Sequence, residues 1–207
     1  MGTPSQHPFN TIADGLAEHG FSVIENFLSD QEVDHILALE DFQQGIAHFK
    51  KAGVGKTDKQ INEAVRGDYI QWIDRSTAAP ALQVYLNRLN DLVTFVNQTL
   101  FLSLKDYEVH MTIYPVGSFY KRHLDQFKAD DHRKLSVICY LNKNWTDAQG
   151  GQLRMHLPGH MRDVLPAAGT LVCFRSDQIE HEVLPATRER LSLTGWMLDQ
   201  HADLRHL

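Results

Sequence analysis

The chain has 207 residues, 43% of them hydrophobic and 22% charged, with a formal net charge of −6 at pH 7. This length and balance fit an ordinary globular protein with one sizeable core. A net negative chain argues against broad nucleic-acid or acidic-membrane binding, which needs a positive surface field, and no apolar run reaches the length of a membrane span.

The opening stretch, MGTPSQHPFNTIADG, has neither a basic nor an apolar signal region, so a cytoplasmic protein is the expectation, with a monomer as the default. A first helix is predicted near Thr11 to His19, then a short strand over Phe21-Ser22-Val23-Ile24. Ser29-Asp30-Gln31-Glu32 reads as a capping box, in which the serine oxygen and Glu32 satisfy free backbone N–H groups. Val33, Ile36, Leu37 and Leu39 follow at helical spacing. Residues 53 to 74 carry glycines and charges and end in an alternating run, Tyr69 to Ile73, expected as an extended segment in a mobile loop or hairpin. Pro80 opens a long helix with an apolar stripe at Leu82, Leu86, Leu89, Val93, Val96 and Leu100.

From about residue 104 the pattern changes to strands and turns. Strands are predicted at Glu108–Tyr114, Phe119–Leu124, Lys134–Leu141, Gln152–Met155, Arg162–Leu165, Thr170–Phe174, Glu180–Leu184 and Arg190–Leu198. Eight short strands separated by Gly/Pro turns suggest a jelly roll or barrel rather than a parallel sheet. Cys139 and Cys173 lie in apolar strand-like runs outside any CxxC pair and are expected as buried thiols, with no disulfide framework.

Gly55-Lys56-Thr57 ends like a phosphate-binding loop, but Lys50 stands where that motif requires glycine and no apolar strand precedes it. The chemistry points instead to the twelve histidines. His-x-Asp occurs twice, at His123-Leu124-Asp125 and His201-Ala202-Asp203. The second copy sits in a polar tail. The first closes a predicted strand, where residues two apart share a face. A third ligand must come from a distant strand, with His132, His156, His160 and His181 as candidates. His181 stands just before a turn, and Arg190 begins the last strand nine residues later; on an antiparallel neighbour it returns to the same pocket. Two imidazoles and a carboxylate hold Fe(II) on one face and leave positions open, while an arginine suits the far carboxylate of a 2-oxo acid. A zinc hydrolase shares the first feature and not the second.

These residues resemble the prolyl 4-hydroxylase type of 2-oxoglutarate/Fe(II)-dependent oxygenase. Tyr140-Leu141-Asn142-Lys143-Asn144-Trp145, Gly150-Gly151-Gln152-Leu153-Arg154, His181-Glu182-Val183 with Pro185-Ala186, and Arg66-Gly67-Asp68 with Ile70 and Trp72-Ile73 are similar to the oxygen-sensing prolyl hydroxylases and their bacterial relatives. The resemblance implies an α+β, mainly β double-stranded β-helix, with N-terminal helices packed on one sheet. It implies one oxygenase domain over 1–207: helical support and a finger loop over 1–103, the β-helix core over 104–199, and a tail over 200–207. It implies Fe(II) on His123, Asp125 and His181. Arg190 would pair with the 2-oxoglutarate C5 carboxylate and Tyr140 would hydrogen-bond to it. Tyr114, Ile138, Leu153, Thr194 and Trp196 would line the pocket. Arg66, Asp68, Tyr69 and Arg133 would meet the substrate. Separately, the opposite charges of Asp68 and Arg133 make a pairing that closes the finger an expectation of this sequence. The turn after Tyr114 is trimmed relative to the family.

The activity so implied is O2-dependent hydroxylation of a prolyl residue, at C4, in a protein substrate, with 2-oxoglutarate converted to succinate and CO2. A translation elongation factor is one candidate substrate, and ascorbate one candidate reductant that no residue speaks for. The alternatives are an oxygenase acting on another side chain or a free amino acid, and a non-catalytic cupin-like metal or ligand sensor.

Overall fold

The computed structural model describes residues 8–53, 64–126 and 131–201. Gly55-Lys56-Thr57 and part of the expected finger lie outside them. Helix α1 (Pro8–His19) leads into strand β1 (Phe21–Ile24), the first helix starting three residues before the predicted position. Helix α2 (Asp30–Leu37) begins where the capping box places it: Ser29 Oγ accepts from the Glu32 N–H at 3.3 Å, and the Glu32 carboxylate accepts from the Ser29 N–H at 2.8 Å. The short helix α3 (Glu40–Gln43) follows, then strands β2 (Lys50–Lys51) and β3 (Tyr69–Trp72). Helix α4 (Pro80–Leu100) has proline in its first turn, where a fixed φ and a missing N–H cost nothing. Its buried face is Leu82, Tyr85, Leu86, Leu89, Leu92 and Val96. Val93 and Leu100, predicted on that stripe, are only partly buried.

All eight predicted strands form, with small shifts at their ends: β4 (Asp106–Tyr114), β5 (Tyr120–His123), β6 (Arg133–Tyr140), β7 (Leu153–Leu157), β8 (His160–Val164), β9 (Leu171–Arg175), β10 (Glu180–Val183) and β11 (Arg190–Leu198). They make two antiparallel sheets, ordered β1-β9-β6-β11-β4-β3-β2 and β5-β10-β7-β8. This is a double-stranded β-helix with helices against its larger sheet. The segment read as a loop or hairpin is in part a true strand, since β3 pairs with β4 from Tyr69↔Ile113 to Trp72↔His110.

Strand alternation then sorts the large sheet into two faces. On β4, Val109, Met111 and Ile113 join the core shared with α1, α2 and α4; on β6, Leu135, Val137 and Cys139 do so; on β11, Leu193 and Met197. The intervening residues point between the sheets: His110, Thr112 and Tyr114; Ser136, Ile138 and Tyr140; Arg190, Ser192, Thr194 and Trp196. Tyr114, Ile138 and Tyr140 there meet Leu153, Met155 and Val183 of the small sheet in a second apolar cluster. Each fully buried aliphatic side chain contributes ~1.5–3 kcal/mol. The helix-side core, with Leu89, Val137 and Leu193 at 0% exposure, therefore contributes much of the stability, and the inner face carries polar groups beside its own apolar cluster. Both cysteines are buried and free, on the strands β6 and β9.

Candidate active site

His123 and His181 are brought together by the small sheet: they are cross-strand partners on β5 and β10. Their rings lie 4.3 Å apart, centroid to centroid. His123 Nδ1 is 2.6 Å from the Lys121 carbonyl and His181 Nδ1 is 3.0 Å from the Ile179 carbonyl. With Nδ1–H donating to those carbonyls, each Nε2 keeps its lone pair for the cavity. Burial pushes His181 down to about 4, which keeps it neutral at pH 7.

Asp125 completes the cluster, with Oδ1 3.4 Å from His123 Nε2 and Oδ2 3.8 Å from His181 Nε2. Strand alternation does not place it, because β5 ends at His123 and Asp125 lies two residues beyond. Burial alone would raise its carboxyl; the imidazoles of His181 and His123 and a hydrogen bond from Ser136 outweigh that and hold it well below the usual carboxylate range. The ligand atoms of His123, Asp125 and His181 all lie within 4.8 Å of one another, one such group among the described residues. Two imidazoles and one carboxylate on one side of a cavity are a donor set that Fe(II) accepts. The other histidines weighed for this place are engaged elsewhere: His132 with Asp199 at 2.8 Å, His156 with Glu182 at 2.9 Å, and His160 with the Pro158 carbonyl at 3.3 Å. His201, of the second His-x-Asp, is exposed beyond β11, and Asp203 lies outside the described residues.

Arg190 reaches the same cavity by a different route from the one predicted. β11 is not an antiparallel neighbour of β10; it lies in the other sheet, between β4 and β6. The guanidinium crosses from the large sheet and is 1% exposed. Its Nε donates to the Gly151 carbonyl at 2.9 Å. Gly151 has φ +73°, and a Cβ there would lie 3.4 Å from Arg190 Cδ and 3.0 Å from Trp145, so the glycine pair predicted as a turn also makes room for this side chain. Tyr114 and Tyr140 flank the guanidinium, with ring centroids 5.0 and 4.9 Å from its carbon. Arg190 Nη2, the Tyr140 hydroxyl and Trp196 Nε1 are all buried without a hydrogen-bond partner. Burial pushes Tyr140 up to about 12 despite the nearby Arg190 charge, so its hydroxyl keeps its proton and can donate. A buried cation with an idle N–H beside an idle O–H fits a carboxylate. Ile138, Leu153, Val183, Thr194 and Trp196 line the same cavity as Arg190 and the His/Asp cluster.

The expected pairing of Asp68 with Arg133 does not form. Arg66 binds Asp68 through two bonds, Nε to Oδ1 at 2.7 Å and Nη2 to Oδ2 at 2.6 Å, while Arg133 binds Glu108 at 2.7 Å. Arg133 also stacks on Trp196, 3.6 Å from its ring centre. The alternation of β3 decides Tyr69: Ile70 and Trp72 line the cavity, whereas Tyr69 packs on the helix-side core. Arg66 lies over Tyr120, whose ring stacks on His123 at 3.6 Å with planes 17° apart. His110, Thr112, Glu108 and Tyr120 line the cavity without having been assigned to it from sequence. A signal existed for three of them, since Glu108, His110 and Thr112 precede Tyr114 at steps of two on one strand.

Comparisons with known proteins show the family of the chain. The 2OG-Fe(II) oxygenase superfamily model matches residues 109–198. The chain is 32% identical to the Mus musculus protein "Prolyl hydroxylase EGLN3", over 89% of this chain and 80% of that one. The crystal structure of a Pseudomonas putida prolyl-4-hydroxylase superposes with a TM-score of 0.84 at 44% identity, covering 93% of this chain and 99% of that one. A Trichoplax adhaerens prolyl hydroxylase, solved with a hypoxia inducible factor oxygen degradation domain peptide, gives 0.82 at 28% identity, covering 93% and 89%. The chain spans only part of other curated relatives: 27% of a Caenorhabditis elegans "Hypoxia-inducible factor prolyl hydroxylase" and 45% to 56% of three proteins named "Egl nine homolog 1". The chain belongs to the 2OG-Fe(II) oxygenase superfamily, within its prolyl hydroxylase branch. That family is one of enzymes using Fe(II), 2-oxoglutarate and O2. Among the described residues no helix is long and apolar enough to cross a membrane.

Proposed function

We propose that the chain acts as one oxygenase domain and hydroxylates a prolyl residue, at C4, in a protein substrate. The observation that carries this is the shared cavity: His123, Asp125 and His181 converge beside a buried Arg190 whose Nη2 has no partner. His123, Asp125 and His181 would hold Fe(II), and Arg190 with Tyr140 would receive the C5 carboxylate of 2-oxoglutarate. When bound, Fe(II) with 2-oxoglutarate and O2 supplies the oxidising power for hydroxylation, releasing succinate and CO2.

The protein's part is placement and exclusion. Asp125 would offset part of the metal's charge, and the two histidines would offer Nε2 because their Nδ1 atoms are tied to backbone carbonyls. Arg190 and Tyr140 would hold the distal carboxylate of the co-substrate in the cavity they share with His123, Asp125 and His181. Ile138, Leu153, Val183 and Trp196 keep the reacting centre poor in water. Arg66, Asp68 and Arg133 line the same cavity and would meet an entering protein segment.

The prolyl substrate is supported by the likeness to the mouse and Pseudomonas prolyl hydroxylases and to the Trichoplax enzyme solved with a peptide. The finer assignments come from the sequence reading alone: a cytoplasmic, oxygen-responsive enzyme, ascorbate as iron reductant, and a translation elongation factor as the first substrate to try. The test is mass spectrometry of candidate proteins incubated with enzyme, iron and 2-oxoglutarate. A proline that gains one oxygen only in the complete mixture supports the reading. Succinate formation with no modified proline in any protein offered turns it toward another side chain or a free amino acid.

A further inference from the structure

Asp125 is the member of the His/Asp cluster that lies outside any strand, two residues past the end of β5. Something other than a ladder must fix its carboxylate. Ser136, on the inner face of β6, donates from Oγ to Asp125 Oδ2 at 2.6 Å. Ser136 Oγ also lies 2.8 Å from Ser176 Oγ, just beyond β9. Neither serine is more than 1% exposed. A serine hydroxyl has one proton, and an ionised carboxylate only accepts. Ser136 gives its proton to Asp125, so in the contact between the hydroxyls Ser176 must be the donor. The bonds form a directed chain, Ser176 to Ser136 to Asp125, in which each strengthens the next. Ser176 is itself fixed at both backbone groups: its N–H donates to the Lys134 carbonyl at 3.1 Å, and its carbonyl accepts from the Gln126 N–H at 3.2 Å. The second of these holds the residue immediately after Asp125.

We propose that Ser136 and Ser176 are positioning residues that orient the Asp125 carboxylate to ligate the metal through Oδ1 alone. This rests on the metal-site reading above. With Oδ2 engaged by Ser136, Oδ1 is the oxygen on the His123 side, 3.4 Å from Nε2. A single-oxygen ligand occupies one coordination position and leaves the open face free for the co-substrate and O2. Without the hydroxyls, the carboxylate of this off-strand residue is free to rotate and bind through both oxygens. Hydrogen-bond partners of metal ligands characteristically change affinity when removed.

The experiment measures Mn(II) affinity by calorimetry, without 2-oxoglutarate or substrate, for the wild type and for Ser136→Ala, Ser136→Thr and Ser176→Ala. Thermal melting of the metal-free proteins confirms folding. Ser136→Ala should weaken Mn(II) binding about 10–100-fold, Ser176→Ala should weaken it by less, and Ser136→Thr, which keeps the hydroxyl, should bind within about twofold of wild type. A folded Ser136→Ala that binds Mn(II) like the wild type overturns the proposal. If Ser136→Ala does not fold, Ser176→Ala decides: wild-type affinity there overturns the directed chain. A wild type that binds no divalent ion removes the metal-site reading itself, and the proposal with it.

Discussion

The guanidinium carbon of Arg190 lies 4.9 Å from the centre of the Tyr140 ring, and each residue keeps one buried polar atom with no hydrogen-bond partner. Leaving such atoms unsatisfied costs about 1–3 kcal/mol each. Two idle donors side by side suit an acceptor that carries negative charge on oxygen, which is the role proposed for them.

Arg190→Met should therefore raise the KM for 2-oxoglutarate at least 30-fold, since losing one partner of a buried charge pair costs ~2–5 kcal/mol. Tyr140→Phe should raise it only about fivefold, the worth of one ordinary hydrogen bond at ~1 kcal/mol. Mn(II) binding should survive both changes. Steady-state kinetics in 2-oxoglutarate checks this; an unchanged KM in Arg190→Met would place the carboxylate elsewhere.

The Arg66–Asp68 pair makes the next prediction. Asp68 is 1% exposed and takes both bonds from Arg66. Asp68→Asn should destabilise the protein by about 3–5 kcal/mol, the usual cost of stranding one partner of a buried ion pair. A double-mutant cycle in urea should give a large coupling between positions 66 and 68 and almost none between Asp68 and Arg133. Strong coupling of Asp68 with Arg133 would mean that the finger closes as the sequence suggested.

Acid stability follows from two buried histidines. Burial pushes His110 down to about 3 and His181 down to about 4, from an ordinary 6.5. Above about 6.5 both are neutral, folded or unfolded, and contribute no pH dependence. As the pH falls below that value, the unfolded chain binds protons that the native protein refuses. Stability is lost by up to ~1.4 kcal/mol per pH unit for each histidine. The loss from His181 ends near 4 and that from His110 near 3. Denaturant melts of the metal-free protein between pH 7 and pH 4 should show the decline, and His110→Gln should remove about half of its slope. A slope unaltered by His110→Gln would show that this imidazole is not held neutral.

Much of this was legible in the chain. Period-two alternation and Gly/Pro turns marked all eight strands, because local chemistry sets where a strand begins and ends. His123, Asp125, His181 and Arg190 stood out because their types and spacing suit one chemistry. Sheet membership was not legible: Arg190 follows His181 by nine residues, yet the two come from opposite sheets, since long-range pairing decides which strands adjoin. Charge alone could not choose between Arg66 and Arg133 as the partner of Asp68; the nearer arginine takes it, two residues away along the chain. Ser136 was hidden in the apolar run Leu135-Ser136-Val137-Ile138. A serine facing inward from a buried strand needs a partner, and only the folded chain shows that the partner is Asp125.

The measurement that bears most directly on the whole account is the ratio of succinate formed to hydroxyproline formed, in wild type and in Asp125→Ala, with a modified substrate protein in hand. The account predicts equal amounts of the two products in the wild type, dependent on added iron, and neither above background in Asp125→Ala at a retained melting profile. Full coupled hydroxylation by Asp125→Ala would contradict it.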